Sequence, residues 1–287
     1  MNIARSLATA FDPLHYAFFR HALVVATIAG ALCGLVGVYV VLRGMSYIGH
    51  GLSHAIFGGA VASYALEINF YLGAGLWGLV SALLITKVAR RRTIGADAAI
   101  GVVTSASFAV GVAIISVIGS FTRNFEAALF GNVLGVTMSD VLVVAGVGVF
   151  AASVVFFQYR ELLFATFDPE VAEVSGVRTG RVDTLLALVL SATITATMNV
   201  MGVTLIAATL VIPPVTARLL TDSFHRMLWI STATGAACGL VGVYLSYYLD
   251  WSSGASVVLT SAVVFVVAFV ISGFRHRRLP ATAADVH

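Results

Sequence analysis

Two histidines, His50 and His54, lie four residues apart within a long apolar stretch of the chain. On a helix, residues at positions i and i+4 share one face, with Cβ atoms about 5–6 Å apart, so both imidazoles can reach one point. Neutral imidazole binds zinc and similar divalent ions, and polar side chains in a membrane segment usually face a cavity, a partner or a substrate path. The pair is therefore a candidate metal site. The alternative is a pair of packed, hydrogen-bonded histidines.

The composition is that of a membrane protein. Of the 287 residues, 60% are hydrophobic and 10% are charged, whereas soluble domains carry roughly 25% charged residues. The net charge of +3 comes from basic residues near the ends of apolar segments, so it does not indicate nucleic-acid binding. Cys33 and Cys238 each lie alone in an apolar run and are interpreted as packing residues. We predict a single membrane domain over residues 1–287.

Nine apolar segments approach the length of about 20 residues that crosses a bilayer. They lie near 22–42, 46–66, 70–89, 97–119, 139–158, 184–200, 202–220, 228–249 and 255–273. Only a short stretch with Asn199 and Gly202 separates the sixth from the seventh, so one of these two is expected to be broken or shortened. The sequence predicts an all-α, polytopic membrane protein with eight to nine transmembrane helices and a membrane core over 20–273.

Basic residues predict which ends of the segments lie in the cytoplasm. One cluster follows the third segment, at 87–92, a second follows the last segment, at 275–278, and basic residues also flank the connection 160–183. Placing all three in the cytoplasm gives a consistent path through the membrane. The connection 160–183 is then a cytoplasmic loop, and residues 274–287 form a cytoplasmic tail.

The loop 160–183 contains the residues of a short helix. Asp168 can cap its start, Pro169 suits the first helical position, and Glu170 favours the positive end of the helix dipole. Gly176 can end the helix. Both a docking element at the cytoplasmic surface and an ordinary interfacial connector fit this pattern.

Several motifs of enzymes are absent from the sequence. It contains no P-loop for nucleotide, no His-Glu-x-x-His zinc motif and no Gly-x-Ser-x-Gly nucleophile turn. The stretches 44–46 and 254–256 match serine motifs only in part, without a suitably placed histidine. We interpret the chain as a transport path and not as an enzyme.

Five stretches, in order, resemble the metal-type ABC importer permeases, which carry zinc, manganese or iron. They are 43–46 with 54–55, 97–101 with 108–111, 129–135, 167–172 with Gly176, and 211–220. In that family a homodimer of permeases sits in the bacterial inner membrane on two separate cytoplasmic ATPase subunits. An extracytoplasmic binding protein delivers the metal. The resemblance therefore accounts for the missing P-loop and implies these partners, besides the lipid bilayer, for this chain.

The resemblance also implies roles for individual residues. His50 and His54 of both copies would line the metal path, and 165–180 would form the coupling helix that meets the ATPase, with Asp168, Pro169, Glu170, Ala172 and Gly176. The family usually has Asp where this chain has His50, and imidazole suits zinc, copper, nickel and iron whereas carboxylate suits manganese. We therefore expect no permanently bound cofactor and a transported divalent ion, with zinc favoured and manganese or iron as alternatives.

Two other readings of the histidine pair stay open. An ion-coupled secondary transporter would use His50 and His54 as a proton relay and would need no ATPase. An intramembrane enzyme would need a nucleophile or base beside the histidines, for which Ser46, Ser53 and Ser105 are the candidates.

Overall fold

The computed structural model describes residues 12–89, 95–118, 131 and 133–276. Over these residues the chain forms helices and short connections without a strand, so the predicted all-α class is confirmed. The α-helices are α1 (Ala17–Leu42), α2 (Ser46–Ala65), α3 (Phe70–Ala89), α4 (Ala96–Ile118), α5 (Met138–Phe157), α6 (Tyr159–Phe167), α7 (Pro169–Val174), α8 (Thr179–Met201), α9 (Ile206–Leu220), α10 (Phe224–Leu249) and α11 (Ser253–His276). Most of the predicted tail 274–287, and the basic residues 90–92, lie outside the described ranges.

Seven of these helices, α1, α3, α4, α5, α8, α10 and α11, are long and apolar enough to cross a membrane. The predicted count of eight to nine spans is therefore not confirmed within the described residues. The two segments that fall short are α2 and α9. α2 has 20 residues, but its serines and the two histidines make it less apolar, and α9 has only 15 residues.

The expected interruption between the sixth and seventh apolar segments is present. α8 ends at Met201, Gly202 has a φ of 80°, and α9 begins at Ile206. A positive φ is readily adopted by glycine because it has no Cβ. The break leaves four residues of irregular backbone between two buried helices, and it is the reason why α9 is short.

The centre of the molecule is built from α1, α2, α8 and α9. Val36, Leu52, Ile194 and Leu210, one from each helix, belong to one apolar cluster and are almost completely buried. Around this centre, α3 and α4 pack against α2, and α10 packs along α1. The helix that carries the histidines is therefore held on several sides.

Glycines allow α1 and α10 to pack backbone to backbone. A Cβ placed on Gly30 would lie 2.2 Å from the carbonyl oxygen of Gly235, and one on Gly235 would lie 2.1 Å from the carbonyl oxygen of Gly30. One turn away, the hydroxyl of Ser231 donates a 2.6 Å hydrogen bond to the carbonyl of Gly34. We call Gly30, Gly34, Ser231 and Gly235 the glycine seam. Small residues at such spacing are typical of close membrane helix packing.

The same principle fixes α2 between its neighbours. A Cβ on Gly58 would lie 2.2 Å from the carbonyl oxygen of Ser107 in α4, and one on Gly59 would lie 2.3 Å from the side chain of Trp77 in α3. Small residues on two faces of α2 therefore let α3 and α4 approach closely. This packing determines which way the histidines point.

Candidate functional site

His50 and His54 lie side by side near the start of α2. Their ring centroids are 4.6 Å apart and the ring planes are inclined at 73°. His50 is exposed and His54 is partly buried. The i, i+4 spacing thus brings both imidazoles to one place, as the sequence indicated, while their role as metal ligands remains a prediction.

The surroundings of the two rings differ. His54 meets the ring of Phe108 edge to face, with centroids 5.6 Å apart, and Phe108 also contacts Phe57. Within the part of the chain that the structure describes, neither imidazole makes a hydrogen bond. Among these residues nothing supports a pair held by hydrogen bonds, while the His54 ring is packed against Phe108.

Ser53 fixes the turn of α2 that carries the histidines. Its side chain is fully buried, and its hydroxyl lies 2.8 Å from the carbonyl oxygen of His50 and 3.0 Å from that of Val203. Val203 belongs to the break between α8 and α9. The hydroxyl therefore joins α2 to the break, which is a positioning role.

One chain offers few ligands at this place. Among the described residues there is no group of three or more His, Cys, Asp or Glu side chains that could hold a metal ion. Met198 and Met201, close to the break, are buried in the apolar interior and act as packing residues. The described part of a single chain thus presents two imidazoles, an incomplete ligand set by comparison with the four ligands of a structural zinc site.

The short helix in the loop 160–183 has the predicted local structure. The Asp168 carboxylate accepts a 2.9 Å hydrogen bond from the backbone N–H of Val171, and Pro169 is the first helical residue. At the other end Gly176 has a φ of 85°, and the N–H of Val177 donates to the carbonyl of Ala172. This is the Schellman arrangement that ends many helices at a glycine.

The two faces of α7 differ in exposure. Ala172 is fully buried and anchors the helix inward, while Glu170 is exposed. Sequence reasoning missed the exposed apolar residues Val171 and Val174, which are 49% and 91% exposed. A partial signal was available, because Val171 and Val174 are three positions apart and share one face of a helix. The sequence does not show whether that face is exposed. We call these two residues and Phe167, which is also exposed and ends the preceding helix, the α7 patch.

A polar network joins three helices at the opposite ends of the spans. Asp140 forms a capping box with Thr137 at the start of α5, as its position near a segment end suggested. Its carboxylate also accepts a hydrogen bond from the Tyr71 hydroxyl in α3. The Asn199 amide donates to the same hydroxyl at 3.1 Å, which fixes α8 just before its break.

Comparison with known proteins gives relatives over most of the chain. The family model described as the ABC 3 transport family matches residues 15–272. The manganese transport system membrane protein MntC of Halalkalibacterium halodurans is 36% identical over 263 residues, which are 91% of this chain and 90% of that protein. A probable iron transport system membrane protein of Haemophilus influenzae is also 36% identical, over 93% of this chain and 98% of that protein.

Solved structures agree with this result. PsaBC from Streptococcus pneumoniae, solved in complex with Fab, has a TM-score of 0.83 at 33% identity, covering 92% of this chain and 95% of that one. An inward-facing putative metal-chelate type ABC transporter has a TM-score of 0.65 at 14% identity and shares the fold. The match over residues 15–272 and the identities above 30% over nine-tenths of the chain show that this protein belongs to the ABC 3 transport family.

Proposed function

We propose that this chain is the permease subunit of an ATP-driven importer of divalent metal ions, and that His50 and His54 line its metal path. The observation that carries the proposal is the pair of imidazoles, with centroids 4.6 Å apart and no hydrogen bond within the described residues, on a helix of an ABC 3 family protein. The printed names of the relatives, which refer to manganese and iron transport, support a metal cargo.

Iron(II) is the cargo on which the names of the relatives and the ligand chemistry agree. The relatives described above are named for manganese and iron and not for zinc, so the sequence-based preference for zinc has no support from them. Imidazole suits iron, whereas manganese prefers carboxylate and other oxygen ligands. Iron is therefore the ion common to both, and manganese is the second candidate.

The exposed position of His50 supports a site shared between two copies. A divalent ion bound by two imidazoles of one chain leaves coordination positions open, and a second permease copy would supply two more. Two ATPase subunits on the cytoplasmic side and an extracytoplasmic binding protein complete the proposed importer, in a bacterial inner membrane. The likeness to PsaBC is consistent with an assembly of more than one kind of chain.

The α7 segment is the proposed contact with the ATPase. Asp168, Pro169 and Gly176 set the start and end of the helix, and the buried Ala172 anchors it. Glu170 lies on the exposed side. The α7 patch then supplies apolar surface that a partner can bury. ATP binding and hydrolysis on the partner would move this segment and switch access to the histidines.

Uptake into vesicles tests the proposed function. The permease and its ATPase are reconstituted in vesicles with ATP inside, and the binding protein is added outside. Iron(II), manganese and zinc are then offered separately on the outside. We expect uptake that depends on ATP and is fastest for iron(II). Uptake driven by a proton gradient without ATP would indicate the secondary transporter, which family membership does not favour. Fastest uptake of zinc would overturn the cargo assignment alone.

A charge placed in the α7 patch should weaken ATPase binding. Burying a valine contributes about 1.5–3 kcal/mol, so Val174→Asp is expected to raise the dissociation constant for the ATPase about tenfold or more. Titration of the purified permease with ATPase measures this constant. Val174→Leu keeps an apolar side chain and should bind as the parent does. Equal constants for the Asp variant and the parent would rule out this patch as the contact.

A further inference from the structure

Arg43 lies where three parts of the chain meet. It follows α1 directly, and its guanidinium Nη1 lies 2.7 Å from the Asp183 carboxylate in α8. Its Nε donates a 3.2 Å hydrogen bond to the Thr166 hydroxyl in α6. The Arg43 side chain is only 10% exposed. A buried, charge-assisted contact of this kind is short and geometrically specific.

Both partners of Arg43 connect to segments that matter for transport. Thr166 stands two residues before Asp168, the cap of α7, so it belongs to the same connected segment as the α7 patch. Asp183 lies near the start of α8, and the far end of α8 leads into the break that contacts Ser53. Arg43 thus joins the segment that faces the proposed ATPase to a helix that packs against α2.

The connection from Arg43 to the histidines is short and well ordered. Gly44 has a φ of 66°, and the N–H of Met45 donates a 3.0 Å hydrogen bond to the carbonyl of Val40. This is again a Schellman arrangement, which fixes the path of the chain as it leaves α1. α2 begins at Ser46, and His50 follows one turn later. A displacement of Arg43 therefore reaches α2 without an intervening flexible loop.

Arg43 has one donor that is not satisfied in this arrangement. Its Nη2 is buried and has no hydrogen-bond partner among the described residues. Arg43 and Asp183 also line a cavity of about 180 Å³ whose other walls are largely apolar, including Ile48 of α2 and Leu186 of α8. A buried donor without an acceptor is unfavourable. This unfavourable free energy would be removed in a second arrangement, in which the helices around the cavity shift and Nη2 donates to an acceptor. Elements that switch between two states typically have two such packing arrangements.

We infer that Arg43, through Asp183 and Thr166, is the positioning residue that transmits movement of the α6–α7 segment to the helix bearing His50 and His54. This inference rests on the proposed function. Arg43 touches neither metal nor nucleotide and acts on the orientation of α2. Breaking its contacts should therefore uncouple ATP hydrolysis from metal movement and leave hydrolysis on the partner chain intact.

The test measures metal uptake and ATP hydrolysis on the same reconstituted complex. For Arg43→Gln and Asp183→Asn we expect ATPase binding and basal hydrolysis like those of the parent, with uptake per ATP hydrolysed reduced at least about tenfold. Because the two residues act as a pair, the double variant should lose no more than either single variant. Arg226→Gln, which replaces an exposed arginine of α10 outside the α6–α7 segment, is the matched control and should keep the parental ratio.

Thr166→Val supplies a second variant in case loss of the buried charge prevents folding. It removes the hydroxyl contact to Arg43 and keeps the shape of the side chain, so a smaller but measurable drop in uptake per ATP is expected. The inference would be overturned if Thr166→Val took up as much metal per ATP hydrolysed as the parent, and if those of Arg43→Gln and Asp183→Asn that assemble did so too. It would also be overturned if uptake fell only in proportion to the amount of assembled permease–ATPase complex. If the parent itself shows no ATP-driven uptake, the proposed function fails first.

Discussion

Replacing His54 by alanine is expected to reduce iron(II) uptake by the reconstituted importer at least about 100-fold, since even outer-shell partners of metal ligands typically contribute 10–100-fold. His50→Ala should lose a comparable factor, because the two rings lie 4.6 Å apart and would bind the same ion. Initial uptake rates, normalised to the amount of permease–ATPase complex, measure the effect. The packing of α2 should survive both changes, because His50 is exposed and His54 is only partly buried.

His225 provides the matched control for these two variants. It is an exposed histidine of α10, and its Nε2 accepts a 3.2 Å hydrogen bond from the Trp229 indole. His225→Ala should therefore transport iron(II) at the parental rate. Unchanged uptake in His50→Ala and His54→Ala would reduce the pair to packing residues and would direct the search to acidic residues of the outer loops.

Alanine in the glycine seam is expected to lower the stability of the folded chain. The Cβ of Gly30→Ala or Gly235→Ala would lie 2.2 or 2.1 Å from a backbone carbonyl oxygen, so α1 and α10 must separate. Overpacking of this kind typically costs about 1–3 kcal/mol, and sometimes more. Thermal unfolding of the purified permease in detergent measures the change, and either variant should show a clearly lower midpoint than the parent.

Gly146 distinguishes this effect from a general effect of glycine replacement. It lies within α5, and no atom of the described residues is within 4 Å of the position of an added Cβ. Gly146→Ala should therefore stabilise the helix by roughly 0.5–1 kcal/mol, because alanine loses less backbone entropy on folding than glycine. The same substitution is thus expected to have opposite signs at the two places. A midpoint for Gly30→Ala as high as that for Gly146→Ala would contradict backbone-to-backbone packing of α1 and α10.

Features that depend on neighbours in the sequence could be predicted from the sequence. The capping of α7 by Asp168 and its end at Gly176 follow from the chemistry of a carboxylate and of a residue without Cβ, within a few positions along the chain. The proximity of His50 and His54 follows from the geometry of one helix. These local rules need no knowledge of the tertiary structure.

Features that depend on distant residues could not be predicted in this way. The partner of Arg43 is 140 positions away in the chain, and nothing near Asp183 marks it as that partner. The inward face of α7 was equally undetermined, because six residues do not establish which side a tertiary contact will bury. The sequence therefore did not show that the side chain of Ala172, one of the predicted coupling residues, is fully buried.

The count of spans shows how function can obscure a compositional signal. α2 has the length of a membrane helix, but the polar residues that make it a candidate metal path also make it less apolar than its neighbours. Membrane helices with functional polar side chains are stabilised by packing against other helices. Here α2 lies between α3 and α4, which replace lipid as its surroundings.

The most direct test of an imidazole-lined path is the amount of iron(II) that the purified permease–ATPase complex binds in anaerobic equilibrium dialysis. Parent, His50→Ala, His54→Ala and His225→Ala complexes are compared at the same protein concentration. We expect the parent and His225→Ala to bind one ion for each pair of permease chains, and the His50 and His54 variants to bind essentially none. Equal binding by all four complexes would contradict a metal path formed by these histidines.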